Sequence, residues 1–210
     1  MENILFKITV AGFGLALAFV FGYLLMLGYV SGAFDKSYTP EELIKIYNDR
    51  KTDIDEVRHY FNKIVPKGKF VEIEFKDDRT LFRMGVAHLD SSGKHSYENM
   101  FLDWDLKING SKMDSLLHTL NWNKETLKVL KEKLDMANCI QIESGEPTTI
   151  GFQRSGLGMY SFKVFERTIP DILVSKYNDS CTYLFVNRKL VLEYEGGAVG
   201  NQCFPLQSKR

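Results

Sequence analysis

Between Lys7 and Asp35 the chain carries no charged side chain, and the run from Ile8 to Val30 is apolar or small almost throughout. As a helix, at 1.5 Å rise per residue, that run would span roughly 35 Å, enough to cross a hydrocarbon core of about 30 Å with some tilt. It predicts a single transmembrane helix within an anchor segment 1–34, a linker at 35–38, and a domain from 39 to 210 outside the bilayer. Past the linker the apolar positions take helical spacing. Thr39-Pro40-Glu41-Glu42 starts a helix, with Thr39 as N-cap, Pro40 at the first helical position and Glu42 completing a capping box. Leu43, Ile46 and Tyr47 give that helix one apolar side. Ile54, Val57, Phe61, Ile64 and Val65 mark a second helix, ended by Pro66 and Lys67-Gly68. Strand-like text follows at Phe70 to Phe75, Thr80 to Leu89 and Tyr97 to Trp104.

The same order then begins again. Ser111 to Leu120 and Asn123 to Met136 read as helices, with Asn123 as an N-cap, followed by strands at Cys139 to Glu143, Thr148 to Arg154 and Met159 to Glu166. Shifted by 73 positions, Leu43 falls on Leu116, Tyr47 on Leu120, Ile54 on Leu127, Val57 on Leu130 and Phe61 on Leu134. Asn48 and Lys51 fall on the identical residues Asn121 and Lys124. This predicts a tandem duplication of a helix-helix-strands unit, 39–104 and 111–166. A short helix at Ile172 to Tyr177, a C-terminal hairpin over 182–195 turning at Asn187-Arg188, and a Gly-rich tail from Gly196 to Phe204 complete the chain. Consecutive strands stand too close for crossover helices, so the expected class is α+β with a mostly antiparallel sheet.

Charge narrows the function classes. Lys and Arg number 27 against 27 Asp and Glu, a balance that argues against a nucleic-acid binder. It argues equally against strong electrostatic steering of one ligand class. A cleaved signal peptide competes with the anchor: Lys7 precedes the run and Ser31-Gly32-Ala33 offers small residues for a peptidase. Signal h-regions are about 7–15 residues long, so Ile8 to Val30 favours an uncleaved anchor. Lys36, Lys45, Arg50 and Lys51 beyond the run would hold the domain in the cytoplasm on a literal positive-inside count, but long domains translocate largely regardless of charge. The signal-like start favours export, making a single-pass membrane protein with its domain outside the cytoplasm. Gly14, Ala18 and Gly22 recur every four residues, a stripe that would let two transmembrane helices pair as a homodimer.

Candidate chemistry is sparse. In an exported domain, Cys181 and Cys203 would bridge and clamp the tail to the last hairpin; in the cytoplasm they would be reduced core residues like Cys139. Cysteine and histidine spacings match no metal pattern, and no cofactor is implied. His88 and His95 flank Asp90 in what reads as a hairpin loop, and Asp103-Trp104-Asp105 reads as a solvated face. Gly156-Leu157-Gly158 leads into a strand, where a phosphate cradle would need a helix. Arg154 and Ser155 form the most ligand-like pair.

Three strings, Tyr60 to Pro66, Gly145 to Gly158 and Gly196 to Pro205, resemble those of an uncharacterised group of small exported or membrane-anchored bacterial proteins. The resemblance covers most of the domain and implies no activity or functional residue. In architecture, a tandem helix-helix-sheet unit of this length is similar to the β-lactamase inhibitor protein type, a topological likeness with no shared motif. The expected function is a membrane-anchored, non-enzymatic module binding a protein or peptide outside the cytoplasm. A small-ligand site or hydrolase built from residues distant in sequence is the alternative. A cytoplasm-facing immunity-type protein follows if the orientation is reversed.

Overall fold

The computed structural model describes residues 18–28, 35–94, 100–196 and 203–205. Residues 18–28 form a helix, α1, whose large side chains from Phe19 to Leu27 stand exposed. Among the described residues no helix is long and apolar enough to cross a membrane. Most of the expected span, with Gly14, lies outside the described residues. Ala18 and Gly22 lie in α1, and a Cβ added at Gly22 would meet nothing within 4 Å.

Helices α2 (Pro40–Asp49) and α3 (Lys51–Ile64) follow the linker. Both arms of the capping box are made: Glu42 N–H donates to Thr39 Oγ1 at 3.3 Å, and Thr39 N–H donates to the Glu42 carboxylate at 2.9 Å. Strands β1 (Lys69–Phe75), β2 (Thr80–His88) and β3 (Phe101–Lys107) then form an antiparallel meander. A second helix pair, α4 (Ser111–Leu120) and α5 (Lys124–Met136), leads to a second meander of β4 (Gln141–Glu143), β5 (Thr148–Ser155) and β6 (Gly158–Val164). Asn123 Oδ1 caps α5 by accepting from Thr126 N–H at 2.9 Å. A short helix α6 (Asp171–Val174), a 3₁₀ turn (Ser175–Tyr177) and the hairpin β7 (Tyr183–Asn187) and β8 (Leu190–Glu195) end the domain.

All eight strands join one sheet in the order β3-β2-β1-β4-β5-β6-β8-β7, each neighbour antiparallel. The fold is therefore α+β. The two meanders meet at β1 and β4, where Ile73 pairs with Ile142. Every apolar position of the 73-residue shift is buried: Leu43, Tyr47, Ile54, Val57 and Phe61 in the first helix pair, Leu116, Leu120, Leu127, Leu130 and Leu134 in the second; the identical pairs Asn48 and Asn121, and Lys51 and Lys124, are exposed. These residues and the apolar side of the sheet, including Val71, Ile142, Ile150 and Phe162, form one core.

Several expected strand bounds differ: the sixth strand ends at Val164 rather than Glu166, and the last hairpin turns at Arg188-Lys189 rather than Asn187-Arg188. Of the third, expected over Tyr97 to Trp104, residues 97–99 lie outside the described residues; the described strand is Phe101 to Lys107, because Leu106 and Lys107 pair with Leu81 and Thr80 of β2, extending the first unit past residue 104. The fourth is shorter than Cys139 to Glu143: Cys139 closes the end of α5 by donating its N–H to Leu134 O at 2.8 Å. At the C-terminal end Cys181 and Cys203 are joined by a disulfide, and Phe204 packs against Tyr160 and Tyr194 at ring separations of 6.0 and 5.9 Å.

Candidate functional site

Alternation along the strands sends apolar side chains to the helices and leaves a second face that is polar. On it β1 contributes Glu72 and Glu74, β2 Arg83 and Gly85, β4 Gln141 and Glu143, β5 Thr149 and Gly151, β6 Ser161 and Lys163, and β8 Glu193. Cross-strand register makes two rows of these groups. One runs Gly85, Glu72, Glu143, Thr149, Lys163; the other runs Arg83, Glu74, Gln141, Gly151, Ser161, Glu193, Tyr183. Glu72, Glu74, Gln141 and Glu193 are all buried on this side, where Val174 of α6 and Tyr177 of the 3₁₀ turn pack with Val191, Tyr183 and Phe185. A Cβ on Gly85 would come 2.7 Å from Glu72 Cγ, and one on Gly151 would come 2.7 Å from Gln141 Cβ, so both glycines leave room for their neighbours.

Burial of these carboxylates is tolerable because each finds a partner. Arg154 from β5 reaches over β4 to grip Glu74 with two bonds of 2.5 and 2.6 Å, its guanidinium stacked 4.4 Å from the centre of the Phe82 ring. Arg83 Nε stands 3.2 Å from Glu72, and its Nη2 4.0 Å from Glu143. Lys163 pairs with Glu193 at 2.8 Å and donates to Thr149 Oγ1 at 3.2 Å. Glu143 accepts from Gln141 Nε2 at 2.6 Å. Burial pushes the Glu143 carboxyl up to about 7; Lys163 pulls it down, while Glu72, Glu195 and Glu193 push it further up. Glu72 is raised too, by burial first, with Arg83 opposing.

Next to Glu143 the face opens into a cleft of about 710 Å³, within the usual range for ligand sites. Its walls come from segments far apart in the chain: Val65 to Phe70 before and in β1, Leu89 to Lys94 after β2, the β4–β5 turn from Ser144 to Pro147, and Lys176 and Tyr177 of the 3₁₀ turn. Thr149, Lys163 and Tyr183 form its inner side. The cleft lies at the end of the sheet opposite to where the chain enters. Asp35 accepts the Gly156 N–H at 2.6 Å, at the β5–β6 turn, whereas the cleft is built on the turn that begins β5.

Arg154 and Ser155, the expected ligand pair, are part of this framework. Arg154 is the counter-ion of Glu74, and Ser155 is buried with its carbonyl accepting from the Tyr194 hydroxyl at 3.4 Å. Neither lines the cleft. Asp103 and Asp105 pair with Lys112 and Lys76 at 2.7 and 2.9 Å on the surface. His88 is exposed at the end of β2, and His95 lies outside the described residues. Among the described residues no cluster of histidine, cysteine and acidic side chains could hold a metal ion. Glu143, Lys163 and Tyr183 carry no local signal in the sequence, because strand pairing alone brings them together. No family model, curated protein or solved structure matches the chain.

Proposed function

We propose that this chain is a membrane-anchored, non-catalytic module that binds a protein or peptide partner outside the cytoplasm. The observation that carries the reading is the opposition of chain entry and cleft along β5. At roughly 3.3 Å per residue, a strand of that length separates the two ends by about 23 Å. Anchored through 1–34 and the linker 35–38, the domain would present its cleft away from the lipid. The Cys181–Cys203 bond supports the outward orientation, since disulfides persist in oxidising compartments. It weighs against the cytoplasm-facing alternative that the Lys and Arg count favours. Within the anchor, the Gly14, Ala18 and Gly22 stripe would let two copies pair.

The doubled sheet belongs to the same reading, as the product of a tandem duplication. Its support is the repeated element order, the 73-residue correspondence of buried positions, and the matching glycines, Gly85 opposite Glu72 and Gly151 opposite Gln141. Joining two units at β1 and β4 yields a binding face wider than either meander alone.

A photo-crosslinking amino acid placed at Lys67 or Leu89 in the full-length protein, in intact cells, tests the binding reading. Both cleft positions should yield a discrete protein adduct that the same group at Lys45, on the exposed side of α2, does not. Absence of any adduct from the cleft positions would sink it. The second reading, a small-ligand or hydrolytic site, draws on Glu143, whose carboxyl titrates near neutrality inside a cleft as acid–base chemistry requires.

A further inference from the structure

The balanced composition of the chain hides a local imbalance. The residues lining the cleft include the cations Lys67, Lys69, Lys94, Lys163 and Lys176, against Glu143 and Glu146. Both carboxylates already have hydrogen-bond partners, although Glu146 keeps its charge at the exposed rim. Glu146 is turned onto the backbone, accepting the N–H groups of Glu166 and Arg167 at 3.2 and 3.0 Å, and Glu143 is held by Gln141. Lys163 is already matched by Glu193. Around the mouth, Lys67, Lys94 and Lys176 are exposed; Asp90 lies near enough to Lys94 to feel its charge, and Lys176 Nζ stands 5.7 Å from the centre of the Tyr177 ring. The lysines come from three segments: the turn before β1, the loop after β2, and the 3₁₀ turn before β7. Between them lie Phe70, Tyr177 and Tyr183.

We propose that this cleft takes an extended acidic segment of a partner protein, its carboxylates meeting Lys67, Lys94 and Lys176 and an apolar side chain packing on Tyr177 and Tyr183. The inference rests on the reading of the cleft as a protein- or peptide-binding site, and it names the chemistry of the partner. Carboxylates fit better than phosphate. Among the described residues no arginine lines the cleft, and α3, which ends beside it, brings its C-terminus rather than the N–H groups that favour phosphate. Dispersed ammonium groups on flexible stems suit charges spaced along an extended chain. Such contacts at an exposed rim speed association and select partners, and they weaken as salt rises.

Full-length protein in detergent micelles, incubated with an array of random peptides in acidic, basic and neutral sets, provides the test. The acidic set should be retained selectively, with binding about tenfold or more weaker in high salt. Lys67→Glu with Lys94→Glu and Lys176→Glu should abolish retention, and the milder Gln substitutions should weaken it, whereas Lys45→Glu leaves it unchanged. An unaltered thermal melt for each variant ensures that folding is not being read. Retention regardless of peptide charge, insensitive to the lysine variants, would overturn the acidic-partner inference while leaving a binding module standing. Equal competition by free glutamate or inorganic phosphate would overturn it in favour of a small-anion site. Retention of no peptide from any set would overturn the inference; the loss of cleft crosslinks in cells as well would overturn the underlying reading.

Discussion

Glu143 shows how a single side chain couples the sheet's buried polar face to its cleft. Its carboxyl is pushed up to about 7, chiefly because burial penalises the charge. Between the ordinary value of 4.5 and that value, the native chain holds a proton that the unfolded chain has released. Stability therefore falls as pH rises through this window, and Glu72, raised in the same direction, adds to the slope. Glu143→Gln keeps an oxygen for the Gln141 amide and removes the buried charge. Urea unfolding of this variant should show a gain of about 1–3 kcal/mol over wild type near pH 8 and little difference near pH 5; an unchanged slope would contradict the assignment. Gly151 acts by its lack of a side chain. Gly151→Ala would drive a Cβ to within 2.7 Å of Gln141 Cβ and 3.2 Å of Met159 Sδ, atoms near the backbone of one neighbour and inside the packing of another. A loss of about 1–3 kcal/mol in the same unfolding assay is expected.

Elements were legible in the sequence where the signal is local. The Thr39 capping box, the Asn123 cap and the apolar stripes of α2 to α5 are written within a few residues of where they act, and all four helices stand where the pattern places them. The hairpin β7–β8 was equally readable, although it turns one residue later than expected, at Arg188-Lys189, because Asn187 pairs with Leu190. Strand β1 shows the limit. Its alternation, Val71-Glu72-Ile73-Glu74-Phe75, puts the two glutamates on one side but does not say that they are only 5% and 2% exposed. Their counter-ions, Arg83 and Arg154, come from β2 and β5, and the register that delivers them is a property of the assembled sheet. Arg154, expected as one of a ligand-binding pair, is the counter-ion of Glu74 through that register. The C-terminal strap is set by the same kind of long-range closure. Cys181→Ser opens a loop with a sequence separation of 22 residues and frees Phe204 from Tyr160 and Tyr194. A loss of about 3 kcal/mol, reproduced by adding reductant to wild type, is expected from loop-closure entropy. Full stability in reductant would show that the strap contributes nothing.

At the scale of the whole molecule, two helix-pair and meander units share one sheet; one face carries the two helix pairs, and the other carries α6, the 3₁₀ turn and a buried charge network that opens into a lysine-rimmed cleft. The cleft stands at the far end of β5 from Asp35, and in sequence the apolar run from Ile8 to Val30 precedes the linker. This polarity gives the proposed anchor its meaning, because a domain held at one pole by lipid is free to engage a partner at the other. The lysines were present in the sequence throughout, but Lys67, Lys94 and Lys176 gather only when strands and turns are in place. The central claim is that the chain is tethered to a membrane with its folded domain outside the cytoplasm. Fusing alkaline phosphatase or a fluorescent protein to the C-terminus of the full-length chain in a bacterial host addresses this directly. An active phosphatase that sediments with membranes, together with a dark fluorescent fusion, is the predicted result. A bright fluorescent fusion with an inactive phosphatase, or a phosphatase released in soluble form, would contradict it.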